Sequence, residues 1–245
     1  MILAIAAVFV GAATQRIAGM GFAMMVAPFV ILAFGPLQGV VLVNLCGATA
    51  AFITVFSLRS GIRWATFWWL LVSSLLGVGI GLLLVRALDV PTFQTVVGVV
   101  LILAIVGSTL VARTSLHVAG LRWTLAAGVT TGALVSSAGI GGPPMSIYAV
   151  LSRWEQRSFA ATMQPYTAAI SLVAVAASLL TAPRSWPSLS TVEWLLVAAA
   201  IIGGLLVGGL LSRVVSPRVG RVIVVVLALV GAVITLVSGL TGLLR

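Results

Sequence analysis

Two amides and two glycine clusters are the groups in this 245-residue chain best placed to act on a solute. Asn44 and Gln164 each lie inside a long apolar run, and Ala18-Gly19-Met20-Gly21-Phe22 is echoed by Ala138-Gly139-Ile140-Gly141-Gly142. One offset of 120 residues carries Gly19 onto Gly139 and Asn44 onto Gln164. An amide buried in lipid is costly unless it is hydrogen-bonded, so each either ties helices together or meets a solute. A helix that restarts after a glycine bend presents unpaired N–H groups and the positive end of its dipole. Two such restarts, at Gly19 and Gly21 and at Gly139, Gly141 and Gly142, could converge near the membrane midplane on a small anion. Gln15 and Arg16 precede the first cluster, whereas Ser136 and Ser137 precede the second. Arg16 either adds a full positive charge to that site or snorkels to an interface.

Other chemistries lack their residues. The acids are Asp89, Glu155 and Glu193, each close to the end of an apolar run. No carboxylate pair is available for acid–base catalysis or a proton relay. Cys46 and His117 are the lone members of their types, which argues against a disulfide framework or a metal site. Neither an enzyme nor a resident cofactor is expected. All basic residues are arginine and the formal charge is +10. They stand singly between apolar segments, with no run that could follow a phosphate backbone, so no nucleic-acid partner is expected.

The elements that must position these groups follow from composition. Hydrophobic residues make up 62% of the chain and charged ones 7%, against roughly 45–50% and 25% in soluble proteins. The solvent of such a chain is the lipid bilayer. Eight apolar stretches predict an all-α polytopic membrane protein: Met1–Phe34, Pro36–Leu58, Trp64–Val85, Pro91–Ala112, Trp123–Leu151, Phe159–Ala182, Val192–Ser212 and Val222–Leu244. Residues 1–112 and 123–245 read as two related transmembrane repeats of four segments each. The first and fifth stretches exceed the roughly 20 residues that one crossing needs, and each holds a glycine cluster; Pro143-Pro144 follows the second. Both are expected to break at a Gly-rich bend. Such backbone survives at membrane depth only where protein or water meets it.

If each broken stretch crosses once, the loop arginines divide evenly. If each enters and leaves on one face, or crosses twice in short pieces, one side holds Arg59, Arg63, Arg113, Arg122, Arg153, Arg157, Arg213, Arg218 and Arg221. The other keeps Arg86, Arg184 and Arg245. That asymmetry fits the positive-inside rule and makes the halves inverted repeats. Trp64, Trp68, Trp123, Trp154, Trp186 and Trp194 fall near segment ends, where indole rings favour the headgroup region. Gly77/Gly81, Gly128/Gly132 and Gly204/Gly208 read as small-residue packing pairs. Met1-Ile2-Leu3-Ala4-Ile5 has no basic n-region, so the first segment is expected to be retained.

Gln15-Arg16-Ile17-Ala18-Gly19-Met20-Gly21-Phe22 with Pro28, Asn44, and Gly139-Ile140-Gly141-Gly142-Pro143-Pro144 with Tyr148 resemble the sulfite exporter TauE/SafE family of membrane permeases. The resemblance spans the whole chain as a two-repeat pattern. It implies a duplicated helical permease in the bacterial inner membrane, carrying small, often sulfur-containing anions such as sulfite or sulfonates. Phe22-Ala23 stands where the second repeat has Gly142-Pro143, so the two halves are not strictly equivalent. The expected arrangement is alternating access at a midplane site made by both breaks, Asn44 and Gln164. Its partners are a small anionic substrate and lipid, and a homo-oligomer is compatible with the pattern. The rival readings are a channel or permease for another small solute, and a non-transporting scaffold in which the amides are interhelical ties.

Overall fold

A computed structural model describes residues 1–18, 21–58, 60–111, 116–212, 214 and 217–244. They form α1 (Ile2–Ala18), α2 (Phe22–Leu58), α3 (Trp64–Ala87), α4 (Val90–Val111), α5 (Leu121–Ala138), α6 (Gly142–Leu151), α7 (Gln156–Thr181), α8 (Thr191–Leu211) and α9 (Pro217–Leu243), with a 3-10 turn at Pro183–Ser185 before α8. No strand occurs among the described residues. Six helices, α2, α3, α4, α7, α8 and α9, are long and apolar enough to cross a membrane. Large apolar side chains such as Leu76, Leu83, Leu195, Leu206 and Leu210 face outward. In water that surface would be a liability; in lipid it is the matching face. The chain is an all-helical, multi-pass membrane protein.

The chain breaks at both glycine clusters, with α1 ending at Ala18 before α2 starts at Phe22, and α5 ending at Ala138 before α6 starts at Gly142. A straight α2 of 37 residues would be about 55 Å long, far more than a hydrocarbon core of about 30 Å. Gly35, at φ 77° and ψ 173°, resolves this by folding α2 into two arms, 22–34 and 36–58. A side-chain-bearing residue rarely adopts that backbone conformation. The arms run antiparallel, because Gly39 packs on Ile31 and Gly47 faces Phe22. The first arm is also antiparallel to α1, where Gly11 meets Phe22 and Val26. In the same way α6 folds back along α5, with the hydroxyls of Thr124 and Tyr148 2.7 Å apart. Each break is therefore the tip of a helical hairpin rather than a kink in one crossing.

Packing runs mainly between helices that precede residue 112 and helices that follow residue 120. α3 lies on α5, α1 on α8, α4 on α9 and α2 on α7. Glycines set the registers. On α3, Gly77 meets Val129 and Ala133, and Gly81 meets Ala133 and Ser136, while Gly128 and Gly132 of α5 receive Ser73 and Ser74. Contacts that advance together along both chains make α3 and α5 parallel. Gly204 on Phe9 and Ala12, then Gly208 on Ala13, makes α1 and α8 parallel as well. Gly98 on Leu236 and Gly239 on Thr95 make α4 and α9 antiparallel. At each of these glycines a methyl group would collide with the facing helix, as small-residue interfaces in lipid require.

Two apolar cores result. One gathers α1, α2, α4, α8 and α9, from Val8, Phe22 and Val43 to Leu101, Ile201 and Ala228. The other joins α3, α5, α6 and α7 around Leu70, Val135, Met145, Met163 and Tyr166. Trp64, Trp123 and Trp186 are exposed near helix ends. Trp154 departs from the headgroup expectation: it is buried against Tyr148 and Phe159. Its ring lies 5.7 Å from the Arg63 guanidinium, and its indole N–H donates to Ser158. The short α6–α7 turn folds that ring inward.

Candidate functional site

A cavity of about 70 Å³ lies where the two cores meet. One water needs about 10–15 Å³ by this measure, so there is room for several waters or one small polyatomic ion. The start of α2 (Gly21, Phe22, Ala23, Met24) and the break before α6 (Gly139, Gly141, Gly142) both line it. The two breaks touch, since a Cβ on Gly142 would sit 3.1 Å from the Met24 sulfur. Gln15 of α1 and Gln164, Thr167 and Ser171 of α7 supply polar groups. Val43, Gly47, Thr131, Val135, Met145, Met163, Tyr166 and Ile170 complete the wall, in which no described residue is acidic or basic.

Local sequence explains the geometry at each break. Gly139 adopts the left-handed conformation (φ 73°, ψ 12°) that ends helices, and its N–H donates to the Val135 carbonyl at 3.0 Å. The prolines after Gly142 occupy the first turn of α6, where a missing N–H and a fixed φ are tolerated. Gly141 must stay small, because its Cβ would lie 2.8 Å from a Val135 methyl. Both α2 and α6 thus begin at the cavity: α2 brings first-turn N–H groups that have no partner within their own helix, while Pro143 and Pro144 leave α6 only those of Gly142 and Met145.

The amides join the two cores. Gln15 Nε2 donates to Gln164 Oε1 at 3.5 Å, and Gln164 Nε2 reaches the Ala160 carbonyl at 3.4 Å. Asn44 Nδ2 donates to the Val40 carbonyl at 3.0 Å and to the Val135 carbonyl at 2.9 Å. Asn44 and Gln164 are 120 residues apart, and so are the residues they meet across the cores, 135 and 15. Both amides are buried, and Gln15 Oε1 and Asn44 Oδ1 have no hydrogen-bond partner.

Of the residues singled out from sequence, Gln15, Gly21, Gly139, Gly141, Gly142 and Gln164 line the cavity. Asn44 stands just behind the wall, holding the end of α5 through Val135. A smaller hollow, bounded by Val40, Arg86, Ser136, Ser178 and Thr181, lies beyond that clamp. Arg16 is half-buried on α1 beside Gly209, near the C-terminal end of α8, where helix carbonyls suit a cation; it is not on the wall. Gly19 lies outside the described residues.

Sequence reasoning did not place Met24, Thr131, Met145, Met163, Tyr166, Thr167 or Ser171 in the site. Helical spacing from Gln164 marks Thr167 and Ser171 as sharing its face, a signal that was available. Tyr166 is fixed by its contact with Ser74 (2.6 Å between hydroxyl oxygens), which no local pattern reveals. Among the described residues, no group of three His, Cys, Asp or Glu side chains gathers as a metal site would require.

No curated protein and no solved structure matches the chain. The family model for Sulfite exporter TauE/SafE matches residues 3–242. With nearly the whole sequence covered, and a membrane fold whose two helix breaks meet at one cavity, the chain belongs to the sulfite exporter TauE/SafE family of membrane transporters.

Proposed function

We propose that this protein is a permease for small anions, exporting sulfite, sulfonates or related organic anions across the bacterial inner membrane by alternating access. The observation that carries the reading is the meeting of two helix starts, α2 and α6, at a buried cavity whose wall has polar neutral side chains and no acid. Unpaired N–H groups and converging dipoles favour an anion there without fixing it as tightly as a lysine would. Dehydration is offset by the hydroxyls of Thr167 and Ser171 and by the amides.

The packing directions support two inverted halves. With α1/α8 and α3/α5 parallel and α4/α9 antiparallel, alternating passes put the α2–α3, α4–α5, α6–α7 and α8–α9 connections on one side. That side carries most of the loop arginines, which supports reading it as the cytoplasmic one. The α1–α2 and α5–α6 hairpins then enter from opposite faces, the arrangement found around substrate sites in inverted-repeat transporters. The body of α1, α2 and α8 rocks against that of α3, α5 and α7. Asn44 lies about 12 Å in from the start of its arm at Pro36, and Gln164 about 12 Å in from the start of α7. Because the arm and α7 run in opposite directions, the Asn44–Val135 and Gln15–Gln164 bonds bridge the bodies at different depths. Opening the first admits the outside, and opening the second admits the cytoplasm.

The driving force can be the membrane potential alone, at about 2.3 kcal/mol per charge per 100 mV. The test is sulfite efflux from proteoliposomes holding the purified protein, against empty vesicles, at imposed potentials. Efflux that scales with potential is expected; folded protein with no flux of sulfite or of a panel of sulfonates and carboxylates would refute the reading.

A further inference from the structure

Gln15, on the cavity wall, holds a buried acceptor without a donor. Gln15 lines the cavity at 5% exposure, and its Oε1 has no hydrogen-bond partner. The direction of that amide follows from its neighbours. Gln164 turns its nitrogen to the Ala160 carbonyl, so its oxygen faces Gln15, and Gln15 must answer with its own nitrogen. Turning Gln15 over would set two amide oxygens against each other; turning both over would set the Gln164 oxygen against the Ala160 oxygen. Neither arrangement has a proton to share. The relay leaves Gln15 Oε1 as an acceptor. Nearby hydroxyls do not serve it: Thr14 donates to the Val10 and Gly11 carbonyls, Thr131 to the Ala127 carbonyl, and Tyr166 is engaged with Ser74.

A bare oxyanion bound between the starts of α2 and α6 brings no donor for this oxygen. A buried acceptor left unsatisfied is penalised, and a site of that kind rejects ligands that lack the matching donor. We propose that the cavity selects anions that bring their own hydrogen-bond donor, a hydroxyl or a protonated acid oxygen beside the anionic group, and that Gln15 Oε1 accepts it. This deepens the permease reading above and rests on it. The helix starts hold the anionic end, and Gln15 reads the proton. When the donor is a protonated acid oxygen, the proton crosses with the substrate, and no carboxylate in the protein is required to carry it.

Two sulfonates separate the inference from the reading beneath it. 2-Hydroxyethanesulfonate and 1-propanesulfonate carry the same permanent charge and nearly the same volume, and differ by a hydroxyl in place of a methyl. In proteoliposomes at subsaturating concentration, the hydroxylated anion should move at least about tenfold faster. Gln15→Met, with thermal unfolding measured alongside, should bring the ratio to about one by slowing the hydroxylated anion. Equal fluxes in the unmodified protein would overturn the inference while leaving the permease standing, and would mean that Gln15 Oε1 is satisfied by water. A ratio that survives Gln15→Met would overturn the role of Gln15. Failure of both sulfonates to move would overturn the inference together with the organic-anion reading.

Discussion

Replacing Asn44 by alanine separates a transport latch from a structural tie. Asn44 Nδ2 makes one bond along its own helix, to Val40, and one across to the other core, to Val135. Neither carbonyl is orphaned by the change, because Val135 still accepts from Gly139 and Val40 remains within the helical arm of α2. An interhelical side-chain bond in a membrane contributes about 0.6 kcal/mol on average and at most about 1.7. The substitution also removes Asn44 Oδ1, which is buried without a partner and costs about 1 kcal/mol or more to keep so. Net stability should therefore change by no more than about 1 kcal/mol, a shift of a few degrees in the unfolding midpoint. Conformational balance is different, since a cross-core bond worth about 1 kcal/mol changes a two-state population about fivefold. The assay is labelling of Thr167→Cys, on the cavity wall, by a membrane-impermeant maleimide in a Cys46→Ala background. Added from the face with few arginines, the reagent should react about fivefold faster when Asn44 is alanine. Unchanged labelling would refute the latch. Unchanged labelling with a loss above about 3 kcal/mol would mark Asn44 as a packing element.

Four further outcomes follow from the same geometry. Gly35→Ala meets no atom within 4 Å, so its cost should be backbone strain alone, about 1–3 kcal/mol, read as a lowered unfolding temperature in detergent. Gly132→Ala has ordinary helical backbone but drives a methyl into the Ser74 carbonyl of α3; it should lose about 1–3 kcal/mol, and a neutral result would argue against the α3–α5 interface. Tyr166→Phe removes the bond to Ser74 and should lower stability by about 1 kcal/mol in the same unfolding assay. Since no cavity side chain titrates between about pH 5 and 8, flux of a permanently charged sulfonate should be flat over that range. A steep profile would place a titrating group on the path.

Much of this protein is legible in its sequence because membrane folds are constrained by length and by local backbone chemistry. Apolar runs too long for one crossing must break or fold back, and the clusters at Gly19–Gly21 and Gly139–Gly142 are where the backbone allows it. The boundary between the α2 arms is marked in the chain by Gly35-Pro36. The 120-residue offset pairs Asn44 with Gln164 before any coordinate is known. What the tertiary structure alone decides is how each group is used. Gln15 finds Gln164 across 149 residues and Asn44 finds Val135 across 91, and a hydrogen bond over such separations leaves no local trace. The same holds for Arg16, which turns to α8 instead of the cavity, and for Trp154, folded inside by a short turn. Hydropathy and glycine set which segments cross and where they bend. The direction of an amide, and so the chemistry it offers a solute, is set by the neighbours that long-range packing brings to it.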